Sequence, residues 1–145
     1  MPESPPSVKK IADAGLIIAA LDRQDRHAKW AAQAFRQHSP FHTCDAVLAE
    51  AAAVTGAPGK VLQLVARGDL ILDPNFILAD ELPRILALVT KYADCPMDIA
   101  DACLVRMTEL TDRCKIWTVD REDFTTYRRH GRQPVPCDFP PPDQR

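Results

Sequence analysis

The sequence predicts an α/β protein, a three-layer α/β/α sandwich around a central, mostly parallel sheet. Three observations carry that expectation. Short aliphatic runs alternate with longer helical segments almost throughout, and prolines gather at the ends and joints. Acidic residues also follow the runs that read as strands, at the edge where open α/β sheets place their chemistry.

Taken in order, residues 8–12 read as a first strand, although Lys9 and Lys10 make it a poor one, and Asp13 follows it. AGLIIAALD (14–22) reads as a short buried helix, and Asp25 opens a polar-striped helix, RHAKWAAQAFRQH (26–38). FHT (41–43) is the second strand, with Thr43 placed to cap the helix DAVLAEAAAV (45–54). TGAPGK (55–60) breaks the chain. VLQLVARG (61–68) is helical, DLILD (69–73) is a third strand, and DELPRILALVTKYAD (80–94) is another helix. After Cys95 comes PMDIADACLVRMTEL (96–110), a helix, and then KIWTVD (115–120), the clearest strand. Residues 8–130 therefore make one domain without internal repeats. Residues 1–7, with Pro2, Pro5 and Pro6, are expected to form a loose start, and residues 131–145 an extended, mobile, proline-rich tail.

Bulk properties narrow the function classes. A chain of 145 residues with 46% apolar content can bury a real core and is not a disordered segment. The longest apolar run, Leu16 to Leu21, is too short to span a bilayer, and MPESPPSVKK has no hydrophobic signal region. Five cysteines, an odd number without CxxC pairing, fit a reduced cytoplasmic protein. The net charge of −2 does not advertise nucleic-acid binding, but a cluster of cation-holding acids would depress that total.

The helix at 96–110 poses the functional question. Asp98 and Asp101 lie three residues apart on one helical face, and the face turns apolar at Leu104 and Val105. That is the pattern of a helix whose first turn lines a cleft and whose remainder enters the core. Asp13 ends the first strand and Asp120 the fourth, while Glu50 is the only polar residue between Ala46 and Val54. A carboxylate so placed needs a partner. Four acids from four segments repel one another at a shared cleft unless some are protonated or a cation neutralises them. An all-oxygen ligand set suits Mg²⁺ or Mn²⁺ better than Zn²⁺, and without a Walker loop it points to phosphodiester chemistry.

Each acid also has a structural reading. Asp98 reads first as a complement to the helix dipole and second as a ligand. Asp101 lies deeper, where the dipole accounts for less, and reads first as part of the site. Glu50 has pairing with a buried arginine as its weaker alternative. Asp13 and Asp120 taken singly are turn formers or caps, so their joint placement is the argument. Asp123, three residues past Asp120, is either a supporting acid or a cap.

DAGLIIAALDRQDRH (13–27), TCDAVLAEA (43–51), PMDIADACLVRMTE (96–109) and WTVDREDF (117–124) together resemble the PIN-domain ribonucleases, most closely the VapC toxins of bacterial toxin–antitoxin pairs. The resemblance spans nearly all of residues 8–130. It implies a PIN-like fold and an acidic quartet at Asp13, Glu50, Asp101 and Asp120, with Asp98 and Asp123 as secondary candidates for the metal. It also implies Mg²⁺-dependent RNA cleavage leaving a 5′-phosphate and a 3′-hydroxyl, with Mn²⁺ as a substitute. A cognate antitoxin and a homodimer are implied partners, with contacts around Leu16–Leu21 and Val47–Val54. Two features depart from the family pattern. Ala14 stands where Thr or Ser usually follows the first aspartate, and the lysines interrupt the usually aliphatic first strand.

Other signals are weaker. TGAPGK lacks the spacing and the Ser or Thr of a phosphate loop and reads as a turn. His38 and His42 flank Pro40, which spoils a helical metal pair. The cysteines and Trp117 read as core, and His27, at the start of the second helix, reads first as a surface histidine and second as a residue that approaches RNA. Arg121, Arg128, Arg129 and Arg132 read equally as a phosphate-steering run and as a solvated face. A receiver domain is a rival α/β reading, but it needs adjacent acids after the first strand, where Asp13 stands alone. A PIN fold that only binds, without catalysis, is the second rival.

Overall fold

A computed structural model describes residues 7–142. The loose start expected around Pro2, Pro5 and Pro6 lies outside the described residues. The elements are β1 (Lys9–Ala12), α1 (Ala14–Leu21), α2 (Ala28–His38), β2 (Phe41–Thr43), α3 (Asp45–Thr55), α4 (Pro58–Ala66) and β3 (Leu70–Leu72). A 3₁₀ turn (Leu78–Glu81) then leads into α5 (Leu82–Lys91), followed by α6 (Ile99–Glu109), β4 (Cys114–Trp117) and α7 (Arg121–Thr126). Three two-residue strands close the described chain: β5 (Arg128–Arg129), β6 (Gln133–Pro134) and β7 (Cys137–Asp138).

The main sheet runs β3-β2-β1-β4-β7, and every pairing in it is parallel. Helices flank it, as the alternating sequence requires. The chain moves outward from β1 through β2 to β3, then returns to add β4 on the other side of β1. Strand order therefore reverses between β1 and β4. In open α/β sheets the crevice beyond the carboxyl ends of two such strands is where ligands sit. Asp13 and Asp120 lie beyond these two strands.

Ile11, Leu16, Phe41, Leu104 and Ile116 are fully buried, and Trp117 packs edge-on against Phe41 at 5.3 Å between ring centroids. Lys9, an unpromising strand residue, is accommodated by an ion pair with buried Asp73 at 2.8 Å.

Several expectations change. Thr43 does not cap α3: its hydroxyl donates to the Ala12 carbonyl at 3.0 Å, tying β2 to β1, and Cys44 occupies the cap position. Asp25 precedes α2 by a turn, with its carboxylate accepting from the His27 N–H at 2.8 Å. Only part of TGAPGK is a turn. Gly56 ends α3 in the left-handed region at φ 65°, and Pro58 already starts α4, where its missing N–H costs nothing.

The tail is the largest correction. It was expected to be extended and mobile from residue 131, yet β7 joins the sheet, pairing Ile116 with Cys137 and Trp117 with Asp138. Prolines fit there because β7 is an edge strand: the Pro136 carbonyl accepts from the Ile116 N–H at 2.9 Å, and no proline N–H is called upon. Val135 and Pro140 are buried. The folded unit thus extends past the expected boundary at 130. Among the described residues no helix is long and apolar enough to cross a membrane.

Candidate functional site

Asp13 leaves β1 directly and begins α1. One carboxylate oxygen, Oδ1, accepts from the Ala14 N–H at 2.7 Å, and Oδ2 accepts from the Thr118 hydroxyl at 2.6 Å. Burial pushes this carboxyl up to about 6, with the charges of Asp120 and Asp98 adding to it and the two hydrogen bonds opposing it.

The fourth strand stops at Trp117, earlier than expected, so Asp120 lies three residues beyond it. It caps α7, accepting from the Asp123 N–H at 3.1 Å, and its own N–H donates to Thr118 Oγ1 at 3.1 Å. The buried Thr118 hydroxyl therefore joins the two aspartates across the switch point.

Asp101 enters from the first turn of α6 and is partly buried. Its Oδ2 accepts from the Tyr127 hydroxyl at 2.9 Å. Burial raises it to about 7, and nearby Asp98, Asp13 and Asp120 add to the rise. Tyr127 is fully buried, with Tyr92 and Phe124 edge-on against its ring at 5.1 and 5.3 Å. Burial and the adjacent Asp101 drive its phenol well above its ordinary value, so it stays a donor.

Glu50 projects from the middle of α3 and is half-buried. Its neighbours in the cleft are carboxyls, Asp13 and Asp98 foremost, in place of the arginine that the sequence offers as an alternative. Burial, then the charges of Asp13 and Asp98, raise it to about 7. Asp98 is the N-cap of α6, accepting from the Asp101 N–H at 2.7 Å. Asp123 is raised to about 6 by burial and by the adjacent Asp120 carboxyl.

All six sequence-predicted acids line one open cleft of about 280 Å³. Asp13, Glu50, Asp101 and Asp123 are all raised, so protonation is what offsets the repulsion within the cluster. Among the described residues, no group of three or more His, Cys, Asp or Glu side chains is placed to hold a metal ion as the side chains stand. A smaller cavity of about 180 Å³, lined by Cys44, Cys103, Asp73 and Phe76 among others, contains none of these acids.

Sequence reasoning missed three supporting residues. Thr118 and Tyr127 hold the acids from 105 and 26 positions away. Gly15 is the third. A Cβ there would drive into the Val119 side chain, so only glycine lets α1 start this close to the Asp120 loop. The basic run also divides. Arg129 is buried and donates to the carbonyls of Thr108, Thr111 and Asp112 at the end of α6, which removes it from any steering role. Arg128 is half-buried and donates to the Thr125 and Tyr127 carbonyls, while Arg121 and Arg132 are exposed.

No protein-family model matches this chain, and no curated protein matches it.

Proposed function

We propose that this protein is a PIN-type endoribonuclease that cleaves RNA phosphodiesters with Mg²⁺ or Mn²⁺, and that it serves as the toxin of a toxin–antitoxin pair. The observation that carries the reading is the meeting of Asp13, Glu50, Asp101 and Asp120, from four separate segments, in one cleft at the strand-order switch. The donor chemistry fits a hard cation. Every candidate ligand is a carboxylate oxygen, and the protons that now relieve their repulsion are what a divalent ion would replace.

Asp13, Glu50, Asp101 and Asp120 would hold the cation, with Asp98 and Asp123 beside them. When bound, it neutralises the phosphate and lowers the pKa of an attacking water. The remaining work belongs to side chains. Thr118 keeps Oδ2 of Asp13 oriented, and Tyr127 does the same for Oδ2 of Asp101. Glu50, raised to about 7, is a ligand whose proton the cation would displace at neutral pH.

The competing reading, a PIN fold that only binds RNA or protein, draws on Ala14. The Thr118 hydroxyl weighs against it, because it meets the first aspartate without a residue 14 hydroxyl. For the partners, the apolar helices named in the sequence are mostly consumed by the core: Leu16, Ile17, Val47 and Leu48 are buried. An antitoxin or second copy would have to use exposed apolar side chains such as Val54, Leu62, Leu82 and Leu86.

The test is cleavage of a panel of cellular RNAs with Mn²⁺, comparing the natural chain with Asp101→Asn. Metal-dependent cleavage lost in the variant, with its melting curve intact, is the expected result. A natural chain that binds RNA without cutting it under any metal would leave the binding-module reading standing instead.

A further inference from the structure

An acidic cleft on a protein of net charge −2 repels the polyanion it is proposed to cut, so attraction must be local. Beside the cleft lies a second concavity of about 240 Å³, lined by Arg26, His27, Val119, Arg121 and the run Pro140 to Pro142. Val119 lines both spaces, so they share a wall.

We propose that this concavity binds a backbone phosphate of single-stranded RNA next to the scissile position, through Arg121 and Arg26 with His27 beside them. The proposal rests on the ribonuclease reading and names how that site holds its substrate. Arg121 directly follows Asp120, and it is held in place where most arginines at an exposed helix start are mobile. Its Nη2 donates to the Pro140 carbonyl at 3.2 Å, and its guanidinium stacks 4.5 Å from the Phe139 ring centroid. That hydrogen bond uses one of five N–H donors, so the planar fork is presented pre-oriented for a phosphate. The segment that holds it is the one expected to be a loose tail.

The opposite flank offers no equivalent. The groove that shares Ile18 and Val54 with the cleft contains Lys60, but also Asp22 and Asp25. The lining of the Val119 side holds no acid among the described residues, so charge favours that side. The bound strand would run from the arginine pocket across Val119 into the acids.

Each phosphate contact contributes a slope of about −0.7 to the logarithm of affinity against the logarithm of salt for single strands. Two contacts are worth ~1.4, which is roughly a sevenfold difference in salt sensitivity between ~50 and ~200 mM. The experiment is fluorescence anisotropy of a short, unstructured, labelled RNA on the full chain in Ca²⁺. The paired substitution Arg26→Ala with Arg121→Ala should weaken binding about tenfold and flatten the salt slope by ~1.4. Arg121→Gln, which can still donate to Pro140, should show its share of the loss with an unchanged melting temperature. Unaltered affinity and slope in the paired variant overturn the proposal. So does a glutamate-rich peptide that binds as tightly as the RNA and through the same arginines, which would make the pocket a protein site. Cleavage measured alongside separates the two readings. Unaltered binding with intact wild-type cleavage removes the phosphate site alone, whereas a wild type that neither binds nor cuts RNA removes both.

Discussion

Raising the pH of the metal-free protein from 5 to 8 should destabilise it, the reverse of ordinary acid denaturation. Asp13 and Asp123 lie near 6, and Glu50 and Asp101 near 7, against ordinary values of 3.8 for aspartate and 4.5 for glutamate. A carboxyl whose folded value is raised binds its proton more tightly in the native state. Its stabilising contribution is therefore present at low pH and is lost as pH climbs through the folded value. Taken singly, Asp101 loses roughly 2–3 kcal/mol between pH 5 and 8, and Asp13 roughly 1–2. The acids share charge, so their losses do not add, and ~3–5 kcal/mol for the cluster is the expectation. At about 2.1 cal/mol/K per residue, a 145-residue chain has an unfolding entropy near 0.3 kcal/mol/K, so 1 kcal/mol moves Tm by about 3 °C. Calorimetry in EDTA should thus show Tm falling by ~10–15 °C from pH 5 to 8. Below that range the opposite group takes over. Burial pushes Glu109 up, but hydrogen bonds from Arg84, the His130 N–H and Arg106 outweigh it and hold it near 2, so its stabilisation is lost as pH falls from 4.5 toward 2. Mn²⁺ should flatten the slope between 7 and 8, since it replaces the protons. A metal-free Tm that rises steadily from pH 5 to 8 would refute the reasoning.

Three further outcomes follow from single contacts. Thr118→Val keeps the shape but removes a buried hydroxyl that serves Asp13 and Asp120, so it should cost ~2–4 kcal/mol in denaturant melts at pH 7, while Thr118→Ser stays close to the natural chain. Gly15→Ala pushes a methyl into Val119 and should cost ~1–3 kcal/mol while slowing the proposed cleavage, because the Asp120 loop must move; unchanged stability and rate would show that the loop gives freely. Glu109→Gln leaves Arg84 and Arg106 without the carboxylate they share at 2.7 and 3.2 Å, a loss of ~3 kcal/mol in chemical denaturation that should disappear near pH 2.

The parallel sheet was legible because its strands are short aliphatic runs set between helices. The acids were legible because they follow strands or interrupt apolar faces. What escaped the sequence was made by contacts between distant segments. Nothing near Thr118 announces Asp13, and nothing near Tyr127 announces Asp101. Both hydrogen bonds exist only because the fold brings β4 beside β1 and the segment after α7 against α6. The misread tail has a similar cause. Proline lowers the strand signal, but an edge strand offers its carbonyls and needs few N–H groups, so Pro136 serves where an interior strand would exclude it. Arg129 looked like part of a surface run until the end of α6 supplied three carbonyls for it to bind.

In the sequence, capping and chemistry are alternatives for Asp13, Asp98 and Asp120, yet each residue caps in a way compatible with the proposed chemistry. In all three, Oδ1 accepts from a helix N–H, at Ala14, Asp101 and Asp123 respectively, so the cap occupies one oxygen of the carboxylate. Three helices consequently begin at the rim of the cleft, and their N-terminal N–H groups offset part of the repulsion among six acids. The two roles separate by substitution at Asp98. Asp98→Asn keeps an amide oxygen for the Asp101 N–H and caps nearly as well. It also removes a charge that raises both Glu50 and Asp101. In metal-free buffer at pH 8, where repulsion is greatest, Asp98→Asn should therefore raise Tm, whereas Asp98→Ala loses the cap at a cost of ~1 kcal/mol that offsets the relief. At pH 5, where the neighbours are protonated, the benefit of Asn should vanish while the deficit of Ala remains. If Asn and Ala melt alike at both pH values, Asp98 neither caps α6 nor repels its neighbours to any measurable extent.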